Sequence, residues 1–152
     1  MSLKEKLQND LTSSMRARDE VRSSTIRMIL TSIKNEEVAG KEARDLSDAE
    51  IITVLSREAK KRREAAEAFH QAGAKVRADQ ERAEGEIIAE YLPAQLSESE
   101  IKELIAAAMA ETGANSPAQM GLVMKSLQPK TAGKADGGMV SLLVKAALAG
   151  GN

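Results

Sequence analysis

The chain has no cysteine and no tryptophan, and its 152 residues include one phenylalanine, one tyrosine and one histidine. Without thiols there is no disulfide frame, no thiolate nucleophile and no Cys-based metal site. With Phe69 and Tyr91 as the whole aromatic complement, no rings are left to stack on single-stranded bases. That disfavours base-by-base RNA reading and favours recognition of shape or backbone. No apolar run approaches the roughly 18 residues that a membrane span requires. The opening MSLKEKLQND is too charged for a signal peptide, so the expectation is a soluble cytoplasmic protein that engages no membrane. A basic excess is missing too: the net charge of −1 argues against wholesale coating of nucleic acid, though not against a local basic patch.

What is present is aliphatic and charged. With 42% apolar and 30% charged residues, the core must be thin, built of Leu, Ile, Val, Ala and Met, and the surface large, as in elongated helical bundles. No stretch alternates with period two, so the fold class is all-α with no sheet. Seven helices can be read. Ser2 with Glu5 forms a capping box, in which each side chain satisfies the other residue's backbone amide, and Leu3, Leu7, Leu11 and Met15 follow at helical spacing. Asp19 caps a second helix with Ile26, Ile29, Leu30 and Ile33 on its apolar face, closing near Gly40. Ser47 and Glu50 open the longest helix, to about Gln71, with Gly73 as its C′ residue.

A fourth helix spans about Ala74 to Leu92, with Val76, Ala83, Ile87 and Tyr91 as its stripe. Gly85 inside it costs about 1 kcal/mol against alanine, so either a neighbouring helix passes close or the helix is locally weak. Pro93 ends it, and LPAQL marks a boundary between a four-helix N-terminal bundle, residues 1–95, and a small three-helix C-terminal domain, residues 96–152. There Ser97 and Glu100 form another capping box, and Ser116-Pro117-Ala118-Gln119 is a further start signal. Met120, Val123, Met124 and Leu127 face inward, Pro129 forbids continuation, and Asp136 caps a last helix carrying Val140, Leu143, Val144 and Leu148.

The run AGAKVRADQERAEGEIIAEYLPAQLSESEI, followed by ETGANSPAQMGLVMKSLQPKTAGKADGGMVSLLVK, resembles the YqeY family. The most specific marks are EYLPAQLSESE, QMGLVMKSLQPK and AGKADGGMVS; TIRMILTSIKNEEV and REAKKRREAAEAF match more loosely. That family is similar to the C-terminal tail of the GatB subunit of glutamine-dependent tRNA amidotransferase. The resemblance implies a two-part helical fold, with a longer N-terminal bundle and a small C-terminal helical domain; in the amidotransferase, the similar tail contacts the outer corner of tRNA while catalysis occurs on other domains.

Four lysines, Lys125, Lys130, Lys134 and Lys145, stand against one acid, Asp136, after Gly113. Lys125, Lys130 and Lys134 are candidate phosphate contacts, with backbone amides near Gly133, Gly137 and Gly138 assisting at a helix start. The alternative is solubilising lysines around a tight turn. Arg57, Lys60, Lys61, Arg62 and Arg63 form a secondary basic face or, with Glu58, Glu64 and Glu67 interleaved, a solvated ion-paired helix. His70 reads as a solvated residue near a helix end rather than a catalyst. AGKADGG fails as a triphosphate loop, because Gln128 stands where the first glycine belongs and Ala135 where Ser or Thr must follow the lysine. Met109, Met120, Met124 and Met139 fall at core spacings, as adaptable packing or as a groove for a partner helix.

No catalytic residue, metal site or cofactor is expected. The function these observations favour is a tRNA-binding accessory module without catalysis, with a tRNA-handling enzyme or another protein as a further partner. A protein-interaction scaffold is the alternative. An amidotransferase-type carbon–nitrogen ligase with glutamine as donor ranks last, since that label would be inherited from GatB.

Overall fold

The computed structural model describes residues 1–150 and is all-α, with seven helices, one 3₁₀ turn and no strand among them. The helices are α1 (Leu3–Arg16), α2 (Glu20–Glu37), α3 (Asp48–Gln71), α4 (Lys75–Ala89), α5 (Glu98–Thr112), α6 (Met120–Thr131) and α7 (Gly137–Leu148), with the 3₁₀ turn at Pro117–Gln119. Among the described residues no helix is long and apolar enough to cross a membrane. The chain divides into two compact units, Met1–Leu92 and Pro93–Asn152.

Local chemistry sets the helix starts. Ser2, Ser47 and Ser97 each accept from the amide three residues on, and Glu5, Glu50 and Glu100 reach back to the serine amides at 3.0–3.1 Å. Ser116 and Gln119 form the corresponding box at the 3₁₀ turn. Asp19 accepts from the Arg22 amide at 3.1 Å. The α3 end is closed by Gly73 at φ 77°, with Ala74 N–H on the Phe69 carbonyl at 2.8 Å. The α1 end closes the same way but with Arg18 in the left-handed region, at φ 58°, where Asp19 N–H reaches the Ser14 carbonyl at 2.9 Å.

In the first unit, Leu7, Ile26, Ile29, Ile33, Ile51, Leu55 and Ile88 are fully buried, each contributing about 1.5–3 kcal/mol of transfer free energy. Met15 does not join them. It is half exposed, and Ser14 turns inward instead, its hydroxyl 2.8 Å from that of Ser23. Polar ties close the bundle around this core. The Asp48 carboxylate accepts from the Leu3 amide at 3.1 Å, and Tyr91 O–H donates to Asp10 at 2.6 Å. That bond, with Lys6 alongside, holds the Asp10 carboxyl below its usual value, while burial and the Asp10 charge push the phenol up.

α3 is 24 residues long, about 36 Å, and α4 packs along it. Of the stripe read from sequence, Ile87 and Tyr91 are buried and Ala83 is half-buried, but Val76 is 82% exposed, and Ala78 and Ile88 are buried as well. Glu81, Glu84 and Gly85 share this side, because Arg62 of α3 lies there, 3.5 Å from Glu81, 3.4 Å from Glu84 and 3.4 Å from Glu58. Arg62 also touches the Met28 sulfur. A hydropathy stripe follows apolar residues, whereas this seam is organised by charge. α4 also stops at Ala89, three residues before its expected end, and Glu90–Leu92 form a turn with tighter hydrogen bonds.

The second unit packs Ile101, Ile105, Ala108, Val123, Leu127, Val140, Val144 and Leu148 together, with Met109, Met120, Met124 and Met139 half-buried around them. Pro129 does not stop α6, which runs to Thr131. The helix forgoes the bond that an amide at 129 would make to the Lys125 carbonyl, and two residues follow before it ends.

A Cβ at Gly85 would sit 3.6 Å from the Arg62 Cβ, an ordinary contact. Gly85→Ala should therefore raise stability by about 1 kcal/mol, read as a higher urea midpoint at unchanged m-value. Glu37 is a second test. Its buried carboxylate accepts from Lys4 Nζ at 2.9 Å and the Leu46 amide at 3.2 Å, and these bonds hold its acid below the ordinary value. A folded-state value below the unfolded one gives stability that is full above the unfolded value and is lost as pH falls through the folded one. Urea midpoints should decline below about pH 4.3. Glu37→Gln should be less stable at pH 7 and show a shallower decline in that acid window.

Candidate nucleic-acid interface

The candidate site is the α6–α7 corner. Its geometry begins at Thr131, buried at the end of α6, whose hydroxyl donates to the Leu127 carbonyl at 3.2 Å. The Thr131 carbonyl in turn accepts both the Lys134 and Ala135 amides, at 2.9 and 3.1 Å. Gly133 takes φ 73°, the left-handed conformation that lets the chain reverse between the helices. The loop is then fixed from its carbonyl side. Gln95 Nε2 donates to the Gly133 carbonyl at 2.9 Å and to Pro93 at 2.7 Å, and the Leu96 amide donates to the Lys134 carbonyl at 2.8 Å.

These bonds decide which groups face outward. The Lys134 and Ala135 amides are committed to Thr131, so they are not offered to an anion. Gly137 and Gly138 are the first two residues of α7 and are exposed, where a first-turn amide has no acceptor within its own helix. Asp136 holds the N-cap position, its carbonyl accepting from Val140 at 3.0 Å, and so a carboxylate stands at the same helix end.

Lys125, Lys130, Lys134 and Lys145 are all exposed, and none has an ion-pair partner among the described residues. Lys130, in the last turn of α6, and Lys134 flank the loop. Lys125 lies five residues before Lys130, about 140° around the helix, and is not on the same stripe.

The basic run of α3 is distributed differently. Arg57 lies 3.5 Å from Glu36, Lys61 lies 3.4 Å from Glu58, and Arg62 is turned into the seam with α4. Lys60 and Arg63 are exposed, as is His70 in the last turn of α3. Among the described residues no group of three or more His, Cys, Asp or Glu could hold a metal ion.

Sequence reasoning missed the part played by Gln95 and Leu96. Their partners lie 38 residues away, and no local pattern signals such a bond. It also missed a groove of about 430 Å³ between α5 and α7, lined by Ile105, Ala106, Met109 and Leu143, with Lys102 at its edge. Of the four methionines singled out, only Met109 lines this groove.

Gln95→Ala should loosen the loop at a cost of about 0.5–1 kcal/mol. The expected readout is faster hydrogen exchange at the Leu96 amide, with the α5 interior amides unchanged.

No curated protein matches the chain. The family model described as Yqey-like protein matches residues 4–148, nearly the whole length. On that match, the chain belongs to the Yqey-like protein family.

Proposed function

We propose that this protein is a tRNA-binding accessory module, related to the tail of tRNA-dependent amidotransferase and without catalysis of its own. In this reading the four-helix part is the stalk, the three-helix part reads the folded corner of tRNA, and both work in the cytoplasm beside a tRNA-handling enzyme. The observation that carries it is the set of exposed lysines at a pinned loop, Lys130 and Lys134 above all, with no carboxylate partner among the described residues. Such lysines add affinity for phosphate through counterion release. A loop held by Gln95 and Leu96 presents them with little ordering cost at the moment of binding. Membership of the family supports the same reading.

A protein-interaction scaffold is the second reading, favoured by the apolar groove between α5 and α7 and by Leu142, which is 70% exposed on α7. Salt separates the two, because phosphate contacts weaken log-linearly with ionic strength while apolar docking changes little.

The test is binding of purified protein to total tRNA and to unstructured RNA of equal length at several salt concentrations. The expected result is a salt-sensitive preference for tRNA. Replacing Lys125, Lys130 and Lys134 together by alanine should flatten the log–log salt slope by about 2–3. Absence of binding at low salt would sink this reading and leave the scaffold.

A further inference from the structure

The first unit holds a second concavity, of about 530 Å³, at the α1–α2 corner. That is ample for a small ligand. Its lining is Met15, Arg18, Glu20, Ser23, Ser24 and Arg27. We infer that this corner binds a nucleotide, with its phosphate held by Arg18 and Arg27, its base against Met15 and its ribose hydroxyls donating to Glu20.

The two guanidiniums carry the inference. Arg18 and Arg27 are exposed and have no ion-pair partner among the described residues. Carboxylates are within reach of this corner, since Arg22, between them in sequence, lies 3.6 Å from Asp19 and 2.7 Å from Glu90. Two guanidiniums without an ion-pair partner among the described residues line one cavity, one from the turn and one from α2, and a guanidinium is a donor suited to phosphate oxygens.

Arg18 is also in the wrong place for stability alone. It takes φ 58° at the end of α1, a position that glycine fills without strain. Gly73 and Gly113 do so at the ends of α3 and α5. Such departures from local preference cluster at functional sites.

The remaining lining fits the other end of a nucleotide. Met15 is half exposed although it begins from an apolar register, and a thioether packs well against an aromatic ring. Ser23 and Ser24 hydroxyls are engaged within the protein, with Ser14 at 2.8 Å and the Val21 carbonyl at 3.1 Å. Glu20 is the carboxylate of the lining. Beside a phosphate it would repel, but placed toward a ribose it accepts hydroxyl donors. Net charge over the lining stays positive.

The site lies in the first unit and shares no residue with the lysine-bearing corner of the tail. The experiment is an amide-resolved NMR titration of the full chain with adenosine 5′-monophosphate, adenosine and inorganic phosphate. The monophosphate should shift the amides of Met15, Arg18, Ser24 and Arg27, with phosphate acting on the same set more weakly and adenosine weaker than the monophosphate. Arg18→Gly removes the left-handed strain, so it should fold with an equal or higher Tm while binding about tenfold more weakly. Arg27→Gln should weaken binding similarly.

A 5′-phosphorylated oligoribonucleotide and its unphosphorylated twin, titrated into the Lys125, Lys130 and Lys134 triple-alanine variant, separate the sources of phosphate. Shifts from the phosphorylated strand alone would assign the site to an RNA end, and shifts from the monophosphate alone to a free nucleotide. Unmoved amides with every probe would overturn the inference, as would equal shifts in wild type, Arg18→Gly and Arg27→Gln.

Discussion

A single guanidinium sets how α3 lies against α4. Arg62 has only 18% of its side chain exposed and is shared among Glu58 of its own helix and Glu81 and Glu84 of the next. The charge is costly to withdraw from water, and its return in net stability against a well-packed apolar pair is small. What it supplies is register. An aliphatic seam of Ala66 and Ala78 tolerates sliding by a turn. A fork that must meet Glu81 and Glu84 on consecutive turns does not. The long half of α3 that extends past Ala59 therefore needs few large apolar residues, which is how so thin a core supports a helix of 24 residues.

The same exchange of apolar burial for directed polar contact recurs at the ends of the first bundle. Glu37 ties α1 to the loop before α3 through Lys4 and the Leu46 amide, and Asp10 ties α1 to Tyr91 after α4. In each case a carboxylate accepts more than one donor, so its charge is satisfied where it is buried or half-buried. A chain with two aromatic residues has little large apolar surface to bury. These bonds hold the helix ends that an aromatic cluster holds in other small bundles.

This division also explains what could be read from the sequence. Capping boxes at Ser2, Ser47, Ser97 and Ser116 were legible because both partners lie within four residues and the chemistry is local. The aliphatic face of α7 and the isoleucines of α2 were legible because those positions are buried by apolar packing, whereas buried Ser23, Thr25 and Glu37 on α2 leave no mark in a hydropathy pattern. The α4 stripe was legible at Ile87 and Tyr91 but not at its start, where Val76 is exposed and the inner side carries Glu81, Glu84 and Gly85. Pro129 misled for a different reason: proline weakens a helix without fixing the residue at which it ends, and α6 continues two residues past it. The left-handed turn at Arg18 was invisible because the signal for such a turn is a glycine, and none stands there. At the candidate interface the exposed lysines were legible, whereas the bonds from Gln95 and Leu96 that hold their loop were not.

Charge density along a sequence and charge available to a partner are different quantities. REAKKRREAAEAF has the densest basic run in the chain. Folding spends Arg57, Lys61 and Arg62 on Glu36, Glu58, Glu81 and Glu84, and a matched charge retains few counterions to release. The tail has four lysines spread over about twenty residues, and folding leaves them without a carboxylate partner among the described residues. Affinity for a polyanion scales with phosphates neutralised and counterions set free, so the sparse unmatched lysines count for more than the dense matched ones. The same accounting singles out Arg18 and Arg27 in a region where Arg22 is already engaged. Where a chain is nearly neutral overall, its anion-binding surface is set by which cations the fold leaves over.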